Sequence, residues 1–145
     1  MFKHLLLPTD GSPLSEVAIQ KSVLFAKGIN AKVTGFHVIP EYHALTFQTE
    51  MLADTEETFA RYGEAHAKQF LAVIEKAARE AGVECDTAYV TSDHPYEAII
   101  NAANEKGCDL ITMASHGRKG MQALLIGSEA QKVLTHSKIP VLVYR

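Results

Sequence analysis

Strand-like and helical spacing alternate along the whole chain, and this alternation limits the fold more than any other feature. Five short apolar runs, residues 4–7, 32–39, 84–90, 110–113 and 140–144, have the length and composition of strands. Helical patterns lie between them. Ser12-Pro13 is a helix start: serine caps free N–H groups, and proline is pre-set for the first helical position. From there Leu14, Val17, Ala18, Leu24 and Phe25 recur at helical spacing. A longer helix is predicted from about residue 55 to residue 81, stopping at Gly82. Its apolar stripe is Phe59, Tyr62, His66, Phe70, Val73, Ile74 and Ala77, which makes His66 a packed core histidine. Pro95 opens a third helix, with Ile99, Ala102 and Ala103 facing a sheet and Gly107 closing it. Ser128 opens a fourth, with Ala130, Val133 and Leu134 inward. Such alternation means βαβ units, a parallel sheet, right-handed crossovers and helices on both faces.

With 145 residues, 47% of them hydrophobic, the chain can form one domain with its own core, spanning residues 1–145. A net charge of −3 and the lack of a basic stripe argue against a nucleic-acid partner. No apolar run approaches the roughly 18 residues of a membrane helix. Met1-Phe2-Lys3-His4 is followed by only three leucines before Pro8, so no secretory leader is expected. Cys85 and Cys108 do not make a disulfide framework and read as small reduced core residues. The expectation is a soluble, cytoplasmic protein.

In open parallel sheets, ligands bind beyond the carboxyl ends of the strands, where the strand order reverses. Three loops leave such ends: residues 8–12, the chain from Pro40 onward, and residues 114–127. The last reads Ala114-Ser115-His116-Gly117, then nine residues, then Gly127-Ser128. Glycines let backbone approach an anion closely, and a serine at a helix start adds its hydroxyl to the free N–H groups there. Gly117 and Gly127 therefore frame an anion site or a tight turn. Arg118 and Lys119 can balance phosphate charge or simply be solvated, and Gly120 adds flexibility. Ser128 is a phosphate ligand or a plain cap. Asp10 in Thr9-Asp10-Gly11-Ser12 is a ligand contact or a turn aspartate bonding its own backbone. His116 has no carboxylate or nucleophile beside it to orient it for catalysis, so it reads as stacked in the loop or exposed. The histidines show no metal-ligand spacing, and neither catalytic nor metal-binding residues are assigned. Residues 41–54 lack clear periodicity but hold Tyr42, Leu45, Phe47 and Met51, so they read as a lid or a partner surface.

These motifs in this order resemble the universal stress protein family, of the UspA-like, nucleotide-binding subtype. The carriers are Leu7-Pro8-Thr9-Asp10-Gly11-Ser12, His37-Val38, Ser115-His116-Gly117 with Gly127-Ser128, and Ile139-Pro140-Val141-Leu142-Val143. The resemblance implies a single-domain α/β fold with a five-stranded parallel sheet of order 3-2-1-4-5, like that of the adenine-nucleotide alpha hydrolases. It implies ATP, or AMP or ADP, in the crevice, with Mg²⁺ held by the phosphates and Ser128. Pro8, Thr9 and Asp10 would line the adenine and ribose pocket, and the Val38 backbone would meet the adenine edge. The loop from Ala114 through Ser115, His116, Gly117, Arg118, Lys119 and Gly120, with Gly127, Ser128, Glu129 and Ala130, would hold ribose and phosphates. Ala114 stands where the nucleotide-binding members carry a glycine, and its methyl points to where ribose or phosphate would sit. The last strand, from Pro140 to Tyr144, would be a sheet edge pairing with a second copy to form a homodimer.

The resemblance and the residues together leave three functions open. The first is a stress-response module whose nucleotide occupancy changes a surface read by a protein partner. The second is a dimeric scaffold indifferent to nucleotide, toward which Ala114 points. The third is a slow ATPase, although no Walker lysine motif is present.

Overall fold

The computed structural model describes residues 1–43, 56–116 and 126–145. The elements run β1 (His4–Pro8), α1 (Pro13–Ile29), β2 (Lys32–Ile39), α2 (Glu56–Ala81), β3 (Cys85–Thr91), α3 (Pro95–Glu105), β4 (Leu110–Ala114), α4 (Ser128–His136) and β5 (Val141–Tyr144). Every strand pairing is parallel, and the sheet order is β3-β2-β1-β4-β5. The chain thus moves outward from β1 to β3, crosses back, and moves outward again from β4 to β5. The reversal falls between β1 and β4.

Side-chain alternation along the strands divides the core into two layers. Leu5 and Leu7 of β1 pack with α1 and α2 on one face, through Ile19, Val23, Leu71 and Ile74. Leu6, Phe36, Ile111 and Met113 pack with α3 and α4 on the other, through Ile99, Ala103, Ala130 and Val133. Fully burying a side chain of this size is worth about 1.5–3 kcal/mol, so the two layers supply the main driving force.

Three helices depart from the faces expected of them. On α1, Leu14, Val17 and Leu24 are 46%, 51% and 64% exposed, while Ser15, Ala18, Ile19, Ser22, Val23 and Ala26 are buried. Serine can take these positions because its hydroxyl is satisfied: Ser22 donates to the Ala18 carbonyl and Ser15 to Thr9 Oγ1. Small buried residues bring α1 close to the sheet, and the larger apolar side chains end up outside. On α2 the buried stripe is Ala67, Leu71, Ile74, Ala77 and Ala78. Tyr62 is exposed, and so is His66, whose ring stacks on Phe70 at 5.8 Å instead of entering the core. On α4, Ala130 and Val133 are buried but Leu134 faces out.

Helix caps follow the local sequence. Ser12 Oγ accepts from Ser15 N–H, with Pro13 as the first residue of α1. Asn30 closes that helix in the left-handed region at φ 57°. Cys108 is buried and Cys85 half-buried; burial pushes both thiols up to about 11, so neither is a ready thiolate. Both sheet edges, β3 and β5, lack a strand neighbour among the described residues. No helix among the described residues is long and apolar enough to cross a membrane.

Candidate functional site

A cavity of about 530 Å³ opens at the carboxyl ends of β1, β2 and β4, against the first turns of α3 and α4. This is the crevice expected where the strand order reverses. Its apolar lining includes Phe36, Val38, Pro40, Pro95, Ile99 and Met113. Its polar or backbone-rich lining is Thr9, Asp10, Ser15, Ser115, His116, Gly127, Ser128 and Glu129, and Pro8, Ala114 and Ala130 complete it.

The β1–α1 turn is built from its own hydrogen bonds. Thr9 Oγ1 accepts from Gly11 N–H at 3.1 Å and from the Ser15 hydroxyl at 2.9 Å. Asp10 Oδ1 accepts from Ser12 N–H at 2.9 Å, so Asp10 serves as a turn aspartate and also lines the cavity. The Thr9 carbonyl accepts from His37 Nδ1 at 2.7 Å. A carbonyl can only accept, which places the His37 proton on Nδ1. His37 meets the Phe70 ring edge-on at 5.1 Å. Gly11 sits at φ +79°, and a β-carbon there would collide with Phe70, so only glycine fits between turn and α2.

Backbone direction explains the place of Val38. The Phe36 carbonyl accepts from Thr9 N–H on the β1 side, and the Ile39 carbonyl accepts from Ser92 N–H on the β3 side. Backbone groups alternate sides along a strand, so those of Val38 point to the β1 side, where β1 has already ended at Pro8.

The Ala114 loop is pinned where it leaves β4. Ser115 N–H donates to the Tyr144 carbonyl, and the Ser115 carbonyl accepts from Gly127 N–H, both at 2.7 Å. A β-carbon on Gly127 would stand 2.9 Å from that carbonyl oxygen, so glycine is required for the loop ends to meet. Gly127, and not Ser128, is the N-cap of α4; Ser128 is the first helical residue and is exposed. Gly127 has no side chain with which to cap this helix. Its first N–H groups therefore have no partner within the helix and carry the positive end of its dipole. His116 is half-buried, and Ser115 Oγ lies 2.9 Å from its Nδ1.

Glu129 lines the cavity, and its carboxylate accepts from Tyr96 N–H at 3.0 Å and lies 3.6 Å from Lys132 Nζ. It ties the start of α4 to the start of α3 across the cavity mouth. Gly117, Arg118, Lys119 and Gly120 lie outside the described residues, as do residues 44–55, most of the expected lid. Pro8, Thr9, Asp10, Val38, Ala114, Ser115, His116, Gly127, Ser128, Glu129 and Ala130 are all brought to the one cavity. Ser15, Phe36, Pro40, Pro95, Ile99 and Met113 complete it without having been singled out as site residues. For Pro40 and Pro95 the signal was position, just past the end of β2 and at the start of α3, whereas Ser15, Phe36, Ile99 and Met113 lie within elements and gave none. A further cluster was not visible from spacing: Glu41, His43 and Asp93 bring three ligand-type atoms within 4.8 Å of one another, all exposed. His43 and Asp93 are hydrogen-bonded.

A family model described as "Universal stress protein family" matches residues 1–145. The chain belongs to the universal stress protein family. Universal stress protein YxiE of Bacillus subtilis is 33% identical over 149 residues, covering all of both chains. The solved structure of protein MJ0577, from Methanocaldococcus jannaschii, superposes with a TM-score of 0.82 at 29% identity, over 99% of this chain and 95% of that one. A universal stress protein solved in complex with cAMP superposes at 0.72 with 23% identity, over 99% of this chain and 97% of that one. The sheet order, the reversal point and the parallel α/β architecture expected from the resemblance are those observed.

Proposed function

We propose that this protein is an adenine-nucleotide-binding regulatory module of the cytoplasm, and that the cavity between β1 and β4 is its binding site. The observation that carries this reading is the pairing of an apolar slot with an uncapped helix start in one 530 Å³ cavity. The slot of Val38, Pro40, Ile99 and Met113 suits a flat base, and the outward Val38 backbone suits the hydrogen-bonding edge of adenine. Free N–H groups at the start of α4 suit phosphate. A family neighbour is known in complex with cAMP, which supports an adenine nucleotide in this crevice. Asp10 and Thr9 would meet the ribose, with Ser115, Gly127 and Ser128 around the phosphates. ATP with Mg²⁺ is the ligand proposed, the ion shared between phosphates and the exposed Ser128 hydroxyl. Ala114 lines the cavity. Ligand occupancy would be read out through residues 41–54 and a protein partner. We further propose that the free edge of β5 pairs with a second copy to form a homodimer.

A thermal-shift titration of nucleotide-stripped protein with ATP and Mg²⁺, AMP and GTP tests the reading. Binding to the folded state alone adds about 2.7 kcal/mol at a ligand concentration of 100 times Kd. A rise in Tm with the adenine nucleotides and not with GTP is expected. No shift with any of them at millimolar concentration would remove the nucleotide reading and leave the scaffold.

A further inference from the structure

Among the described residues, two buried side-chain polar atoms have no hydrogen-bond partner: Thr112 Oγ1 and His116 Nε2. Native structures rarely leave such atoms orphaned, and an orphan beside a cavity asks for a ligand. Thr112 is enclosed in the core, 1% exposed. His116 lines the cavity, next to the uncapped start of α4. Its Cα is 3.3 Å from where a β-carbon on Gly127 would stand.

The ring is also held in one orientation. Ser115 Oγ lies 2.9 Å from Nδ1, and Ser115 is itself buried and tied by its backbone to Tyr144 and Gly127. When the Ser115 hydroxyl donates to Nδ1, the neutral ring carries its proton on Nε2. The imidazolium carries one there too, so in both forms Nε2 is a donor in need of an acceptor.

Resting on the nucleotide reading above, we infer that His116 Nε2 donates to a phosphoryl oxygen of the bound ligand. This contact makes the site select nucleotides over nucleosides, and it strengthens when the imidazole becomes a cation. Among the described residues, the charged and titratable groups on the surrounding elements are Asp10 on the β1–α1 turn, Glu129 on α4, and Tyr144 and Arg145 at the end of β5; Arg118 and Lys119 lie outside the described residues. Asp10 Oδ1 is engaged by Ser12, and Glu129 by Tyr96 and Lys132. Neither carboxylate bonds Nε2, which leaves that place for the ligand. A phosphoryl oxygen fits because it accepts from either protonation state and is bound more tightly by the charged one.

The test is calorimetric titration of nucleotide-stripped protein with Mg²⁺-bound ATP and with adenosine, from about pH 8 down to pH 5.5, the range in which an imidazole changes charge. Wild type is compared with His116→Gln, which keeps an N–H donor but cannot take up a proton. ATP affinity of the wild type should rise about tenfold more than that of the variant toward acid pH, the size of a charge-assisted hydrogen bond. Adenosine affinities of the two proteins should coincide at every pH. Identical pH profiles for ATP in both proteins would overturn the inference and leave the nucleotide site standing. Failure of ATP and adenosine alike to bind wild type would overturn the site reading, and this contact with it. A second measurement needs no variant: at neutral pH wild type should take up protons on binding Mg²⁺-bound ATP, read from the dependence of binding enthalpy on the buffer. No uptake, or net release, would also overturn the inference.

Discussion

The two ends of the same strands are built on opposite principles. At the amino end, polar groups close on one another. His4 Nε2 meets Thr34 Oγ1 at 2.7 Å, and the Asp109 carboxylate accepts from the backbone N–H of Lys3 at 2.8 Å and of His4 at 3.0 Å. At the carboxyl end, polar groups are left open: α4 starts without a side-chain cap, and His116 Nε2 has no partner. A closed polar cluster stabilises the fold, whereas an open one costs stability and is kept where a ligand completes it.

The largest expected effect is at the open end. Gly127→Val drives a side chain into the Ser115 carbonyl, parting the loop ends that form the cavity. Nucleotide affinity should fall by about 100-fold or more, with a stability loss of about 1–3 kcal/mol, measured by calorimetry and urea denaturation. At the closed end, Asp109→Ala should reverse that pattern. Two backbone N–H groups lose an ionised acceptor, a loss of about 2 kcal/mol, with nucleotide affinity unchanged. Burial pushes the Asp109 carboxyl up, but the N–H groups of His4 and Lys3 outweigh it and hold it below its ordinary value. Its stabilisation is therefore complete above about pH 4 and lost as the pH falls through the lowered folded value. The gap between wild type and Asp109→Ala should accordingly narrow in acid.

Smaller effects sharpen the comparison. Ala114→Gly removes the methyl at the rim, and ATP affinity should rise about three-fold, while a glycine in β4 costs about 0.5–1 kcal/mol. Equal affinity would show that the methyl is clear of the ligand. The smallest effect is at His4. Burial, with Lys32 adding to it, holds this imidazole below its ordinary value, so the folded state favours the neutral ring. Its contribution is present above the ordinary value of about 6.5 and is lost as pH falls through the lowered folded value. Between about pH 6.5 and that lowered value, denaturation midpoints should drop more steeply in wild type than in His4→Gln.

Most of the fold was legible because apolar runs and their punctuation are local signals. Ser12-Pro13 and Gly107 sit at the helix ends they predict, although Gly107 follows the last helical residue by two. The buried faces of α1 and α2 were less legible. Two buried serines on α1 are satisfied by partners that composition does not show, and the stripe on α2 misplaced Tyr62 and His66 by one position round the helix. At the site, Asp10, Ser115, His116 and Gly127 stand in readable motifs. The bond from Tyr96 N–H to Glu129, another residue of the cavity lining, was not legible because it spans 33 residues of sequence. His37 escaped notice as a support because its bond to the Thr9 carbonyl spans 28 residues. Contacts of that kind exist only once the chain is folded.

The most direct test of the contrast is amide chemical-shift mapping of nucleotide-stripped protein titrated with ATP and Mg²⁺. The account predicts saturable shifts at Thr9, Asp10, Val38, Ser115, His116, Gly127 and Ser128, with Lys3, His4, Thr34 and Asp109 unmoved. Shifts centred on the amino-end cluster, or none at the cavity, would contradict it.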